Sequence, residues 1–362
     1  MKKLAFILIL VSFLTDLHGK DKFKTKNIVL ITLDGLRWQE LFTGADPVLT
    51  EDPGYVKNIP KLKADFWDES QPERRKKLMP FIWTTVAGQG QIYGNRGFDN
   101  KVDLTNMMWF SYPGYNEILT GKPDDKRINS NDAVNNPNVT VLEYLNRQPE
   151  YKGKIAAFGS WNIFPYIINE ERSKIPVNAG FETAEGDDLS DMEMALNILQ
   201  PEVPSPWETV RLDAFTHHYA FEYLKKDRPK IIYIAYGETD DFAHDKEYDS
   251  YLHSAARADD FIRQLWEWVQ SQPGYKDQTT MIITTDHGRG LKDEWTSHGS
   301  KYSHSDETWF AVIGPDVPAR GEIRSPGQYY NNQYASTIAM LLGYDFQKEH
   351  EAGDPLDILF IQ

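Results

Sequence analysis

Three separated apolar runs each lead into acidic side chains. Residues 27–33 (N-I-V-L-I-T-L) end at Asp34-Gly35, residues 230–235 run on towards Asp240 and His244, and residues 279–285 end at Asp286-His287-Gly288. A continuous apolar run bounded by turn residues fits a strand buried on both faces. Strands of that kind belong to parallel sheets with helices packed on either side. Helical patterns fall between them. Residues 245–272 place Tyr248, Leu252, Ala255, Ala256, Phe261, Ile262, Leu265 and Trp268 at helical spacing, 206–226 reads as a long helix, and 329–342 as a closing one. The expected fold is α/β, a doubly wound, mostly parallel sheet with helices on both faces. In such sheets ligands bind outside the carboxyl ends of the strands, which is where the acidic residues fall. His217, His218 and His253 lie on the helices and read as packing or surface residues, because adjacent histidines on a helix point about 100° apart and chelate poorly.

The 362 residues suffice for one large domain. Lys2-Lys3 followed by the short apolar run 4–14 reads as a signal peptide over 1–19, cut near Gly19 or Lys20. The expectation is an exported protein, periplasmic or secreted, whose single catalytic domain spans 20–362. No later stretch reads as a transmembrane segment. Two polar, Pro- and Gly-punctuated segments, 43–75 and 170–205, read as loop insertions. With no cysteine in the chain, disulfides and thiolate metal sites are excluded, so any metal must be held by Asp, Glu or His. A formal net charge of −15 argues against a nucleic-acid-binding surface. It does not exclude a small anionic ester, because bound cations invert the local field.

Asp34, Asp240, His244, Asp286, His287 and His298 all fall at or just after strand ends. Oxygen and nitrogen donors without sulfur suit two divalent ions, Zn²⁺ first and Mn²⁺ second, in a two-metal hydrolase. Each residue alone has a bland reading as a cap or a packed loop side chain. Residues 111–121, S-Y-P-G-Y-N-E-I-L-T-G, read as a helix with Pro113 in its first turn and Gly121 ending it. Ser111 then lies at the helix N-terminus, where an anion is favoured. Its bland reading is an N-cap serine. Trp109, Tyr112, Trp161 and Phe164 are candidates to stack on an aryl or nucleoside leaving group.

Together these motifs resemble the alkaline phosphatase superfamily, closest to its type I phosphodiesterase/nucleotide pyrophosphatase branch. Ser111 to Gly121 aligns with that branch's T-F-P-N-H-Y-T-L-x-T-G, Glu238 to His244 with E-P-D-x-x-G-H, Asp286-His287-Gly288 with D-H-G, and His298-Gly299 with the late H-G. The resemblance implies an alkaline-phosphatase-like fold and an assignment of roles. Asp34, Ser111, Asp286 and His287 hold the metal that binds the nucleophile; Asp240, His244 and His298 hold the second. Ser111 forms a phosphoseryl intermediate. His304 competes with His298 for the last ligand role, and Asn131, ahead of Asn129, is the candidate for a substrate phosphate oxygen. Serine replaces the branch's threonine, and Gly114-Tyr115 stands in place of its N-H pair. The expected activity is phosphodiester or phosphomonoester hydrolysis. Three alternatives stand beside it. One is a sulfatase, whose C/S-x-P-x-R pattern begins at Ser111 but meets Tyr115 where arginine belongs. The others are a phosphoglycerate-mutase-like phosphotransferase and a catalytically silent binding protein on this scaffold.

Overall fold

The computed structural model describes residues 22–360. The expected signal peptide and its cleavage point lie outside the described residues. The strands in chain order are β1 (Asn27–Leu33), β2 (Gln91–Tyr93), β3 (Asn100–Asp103), β4 (Ile155–Gly159), β5 (Val177–Ala179), β6 (Ile231–Tyr236), β7 (Thr279–Thr284), β8 (Glu307–Thr308), β9 (Phe310–Ile313), β10 (Gly321–Glu322) and β11 (Gly327–Tyr330). Eight form one sheet in the order β10-β2-β9-β7-β1-β6-β4-β5. The run β7-β1-β6-β4-β5 is parallel throughout, and β9 lies antiparallel between β7 and β2. β11, β3 and β8 make a small separate sheet that the sequence reading did not anticipate.

Alternate residues of the central strands feed two distinct cores, the signature of a sheet covered on both faces. Val29, Ile31 and Leu33 of β1 pack with Ile232, Ile234 and Tyr236 of β6 against the helices Asp213–Lys226 and Tyr248–Ser271. Ile28 and Leu30 pack with Ile231, Tyr233 and Ala235 against Ser111–Thr120, Val141–Asn146 and Tyr334–Leu341. Register keeps the strand ends level: Leu33 pairs with Tyr236, and Thr32 with Thr284. The residues that follow β1, β6 and β7 therefore converge on one edge.

Both segments expected as loop insertions carry regular structure. Within 43–75 lies the helix Ile59–Phe66, and Gln71–Leu78 starts there; each has a proline in its first turn. That is a favoured helix position and not a loop mark. Segment 170–205 contains β5, which extends the main sheet from β4, and the helix Asp191–Glu202, opened by a Ser190–Glu193 capping box. The closing helix also begins later than expected, because Tyr329 and Tyr330 belong to β11.

His217 is a core residue. Its Nδ1 lies 3.0 Å from the Tyr236 hydroxyl, and its ring stacks on Phe261 at 4.1 Å. Burial pushes its pKa from 6.5 down to about 3. A histidine depressed in the folded state takes up its proton preferentially when unfolded, so its contribution is full above 6.5 and is lost as pH falls towards 3. His217→Phe is expected to flatten that acid limb, which changes by up to about 1.4 kcal/mol per pH unit for one group. Urea midpoints of both proteins between pH 7 and 4 measure it; parallel curves would refute the assignment.

Candidate active site

Asp34 follows β1 directly, and its backbone N–H donates to the Tyr236 carbonyl of β6 at 2.9 Å. Asp286 stands two residues beyond β7 and accepts from the Gly35 N–H at 3.1 Å. Gly35 has φ +58, and a Cβ there would lie 2.6 Å from Asp240 Oδ1, so only glycine lets the β1 turn pass beneath the site. Asp240 and His244 share one side of the short helix Glu238–His244, with Nε2 and Oδ2 3.1 Å apart.

His287 joins the two halves. Its Nδ1 donates to the Gly288 carbonyl at 2.8 Å, which leaves the Nε2 lone pair for the cluster. That Nε2 lies 3.2 Å from Asp34 Oδ1, 3.4 Å from Asp286 Oδ2, 3.8 Å from Asp240 Oδ1 and 3.4 Å from Ser111 Oγ. His298 stacks on His287 at 3.9 Å, and its Nε2 is 3.0 Å from His244 Nε2 and 3.6 Å from Asp240 Oδ1. Two overlapping donor groups result, Asp34–Asp286–His287 and Asp240–His287–His298, each with atoms within 4.8 Å of one another. His304 is elsewhere, paired with Glu307 at 2.9 Å.

Ser111 opens the helix Ser111–Thr120 but does not cap it: the N-cap is Phe110, and no side chain there takes up a backbone N–H. Its hydroxyl faces His287 instead. Asn131 Oδ1 accepts from the Tyr112 N–H at 3.0 Å, which places its exposed amide beside Ser111 and leaves Nδ2 to meet a ligand oxygen. Asn129 is turned away, its Nδ2 reaching the Lys126 carbonyl at 3.5 Å. Of the aromatic candidates, Tyr112 and Phe164 are core residues at 2% and 1% exposure, which removes them as stacking surfaces. Trp109 and Trp161 remain half-buried.

The charge balance is uneven. Burial, then Asp240, raises the pKa of Asp34; burial, then Asp34, raises that of Asp286 well above the carboxylate range. Asp34 Oδ1 and Asp286 Oδ2 are buried without a hydrogen-bond partner. Burial would raise Asp240 too, but Arg289, His244 and His298 hold it well below 3.8. Burial lowers His287 less than Asp286, Asp34 and Asp240 raise it, to about 9. Orphaned carboxylate oxygens converging with a correctly oriented imidazole are what a divalent cation satisfies, so the donor set fits metal binding.

Two residues were missed by sequence reasoning. Tyr115 is buried, and its hydroxyl donates to Asp34 Oδ2 at 2.8 Å, fixing the carboxylate so that Oδ1 faces the cluster. Arg289, one residue past the D-H-G motif, contacts Asp240 Oδ1 through Nη1. The sequence offered one signal, the arginine's place beside the motif. Gly114 has a plain steric role: a Cβ there would lie 2.3 Å from the Asp286 carbonyl oxygen. Gly114→Ala is expected to cost about 1–3 kcal/mol by overpacking. By prising the Ser111 helix from the β7 end it should also lower kcat about a hundredfold. Thermal melts and steady-state kinetics check both; wild-type kcat would show that the close approach is dispensable.

No curated protein sequence matches this chain. Solved structures with the same fold include the alkaline phosphatase PafA (TM-score 0.62, 10% identity, 93% of this chain and 99% of that one). The lipoteichoic acid synthase LtaP from Listeria monocytogenes matches with TM-score 0.56 and 13% identity over 92% of this chain and 76% of that one. The phosphonate monoester hydrolase SpPMH from Silicibacter pomeroyi matches with TM-score 0.55 and 13% identity over 93% and 76%. No helix among the described residues is long and apolar enough to cross a membrane. The sequence profile of the Sulfatase family covers residues 47–344, and with that match over most of its length the chain belongs to the Sulfatase family, a hydrolase within the alkaline phosphatase superfamily.

Proposed function

We propose that this chain is an exported hydrolase of phosphoric esters, akin to the phosphodiesterase/nucleotide pyrophosphatase branch, with Ser111 as nucleophile and two divalent metal ions, Zn²⁺ before Mn²⁺. Asp34, Asp286, His287 and Ser111 would hold one ion, and Asp240, His244 and His298 the other. Bound there, the ions supply a lowered pKa for an oxygen nucleophile and neutralisation of developing charge. The carrying observation is that two donor groups, Asp34–Asp286–His287 and Asp240–His287–His298, overlap at His287, with His244 Nε2 3.0 Å from His298 Nε2 on the far side. Ser111 attacks phosphorus as its alkoxide: the Oγ–P bond forms as the bond to the leaving oxygen breaks, and water then cleaves Oγ–P. Asn131 donates its free Nδ2 to a substrate oxygen. Trp109, half-buried and two residues before the helix start, is the candidate surface for the leaving group.

Sulfuric esters are the second reading, favoured by the family match itself. Against it stands Tyr115. A sulfatase pattern needs arginine there, whereas this ring is buried and spends its hydroxyl on Asp34. Purified protein with Zn²⁺ is to be assayed on an aryl phosphate diester, monoester and sulfate. Phosphate-ester hydrolysis far above sulfate hydrolysis is expected; the reverse order would replace this reading with the sulfatase one.

A further inference from the structure

The cation at the edge of the site is Arg289, and its surroundings are unusual. The side chain is fully buried. Nε donates to the Trp295 carbonyl at 2.7 Å and Nη2 to the Thr296 carbonyl at 2.8 Å. Nη1 donates to Asp240 Oδ1, and Nη2 lies 3.4 Å from His244 Nδ1. Carbonyls fix a guanidinium but carry no charge to match it. Among the described residues Asp240 is the one carboxylate it pairs with. The main chain beside it is held as well. The neighbouring Gly290 N–H donates to the Ser297 carbonyl at 3.0 Å, its carbonyl accepts from Arg37 Nη1 at 3.2 Å, and a Cβ on it would lie 2.6 Å from Glu294.

The two donor groups therefore differ in charge although they look alike in residue type. Asp34 and Asp286 form no ion pair with lysine or arginine among the described residues; the side chain that meets both is the His287 imidazole, itself a donor to the ion. In the second group the single carboxylate is already matched by a guanidinium, and the remaining donors are two imidazoles. Affinity for a divalent ion follows the uncompensated charge of its donors, and a fixed cation nearby opposes it.

Resting on the two-metal reading above, we infer that Arg289 makes the two sites unequal. The Asp34–Asp286–His287–Ser111 site holds its ion tightly, and the Asp240–His244–His298 site holds a second ion weakly and exchanges it. Arg289 is thus a positioning residue with two effects. It fixes Asp240 so that Oδ2 faces His244, and it limits how firmly the second ion is kept.

The test is a Zn²⁺ titration of the chelator-stripped full chain against a competing chromophoric chelator. Two binding steps are expected, with dissociation constants about a hundredfold or more apart. Asp34→Asn should remove the tight step and Asp240→Asn the weak one. Arg289→Gln should tighten the weak step by about tenfold or more and leave the tight step in place. The wild-type isotherm needs no variant and decides the main point. Two steps of equal affinity overturn the inequality alone; an unchanged or weaker second step in Arg289→Gln overturns the part given to Arg289. Binding of a single ion overturns the two-metal reading on which it rests.

Discussion

Ser111→Ala is expected to lower kcat on a phosphate ester at least about a thousandfold, with KM nearly unchanged. Ser111 is 5% exposed at the first turn of its helix, and its hydroxyl lies 3.4 Å from His287 Nε2. Removing it takes away one oxygen and little else: Phe110 is the N-cap, so the helix keeps its start, and Asn131 still receives the Tyr112 N–H. A change confined to kcat therefore reports on the chemical step and not on folding or binding. Ser111→Thr should retain substantial activity, because a threonine hydroxyl offers the same nucleophile at that place. Acid quenching during turnover, followed by peptide mass spectrometry, should find phosphate on the peptide carrying Ser111 in the wild type and on no peptide of the alanine variant. Full activity in Ser111→Ala would remove the serine from the mechanism.

Much of the site was readable because strand ends are readable. Buried parallel strands have no polar face to blur the pattern, so 27–33 and 279–285 declared themselves and fixed where Asp34 and Asp286 must stand. Asp240 and His244 followed from one helical turn of spacing. Regular structure hidden in the polar segments was harder to see. Pro60 and Pro72 punctuate the polar segment 43–75 as loop prolines do, yet each follows a helix start and fits its first turn. The Ser190–Glu193 capping box was present in the sequence and would have marked the helix Asp191–Glu202. Tyr115 and Arg289 could not be assigned from sequence for a different reason. Their roles lie in contacts across the chain, with Asp34 and Asp240, that no local spacing encodes. His298 and His304 were separable only by their partners, one stacked on His287 and the other held by Glu307.

Adding Zn²⁺ to chelator-stripped protein is expected to raise its Tm by about 5–10 °C. The cause is local. Asp34 Oδ1 and Asp286 Oδ2 are buried with no hydrogen-bond partner, and an unpaired buried charge is among the costliest features a fold can carry. The sign with pH follows from their raised pKa values. A carboxyl raised in the folded state gives the stripped protein its full contribution below the ordinary value of 3.8 and loses it as pH rises through the folded value. A bound cation takes the proton's place, so the gap between loaded and stripped Tm should widen from pH 5 to pH 8. Asp286→Asn separates this from a general effect of zinc. It removes one of the opposed charges while keeping an oxygen to accept from Gly35. The stripped variant should melt higher than stripped wild type, and most of the zinc-induced shift should vanish. Equal zinc shifts in both proteins would place the stabilising ion away from Asp286.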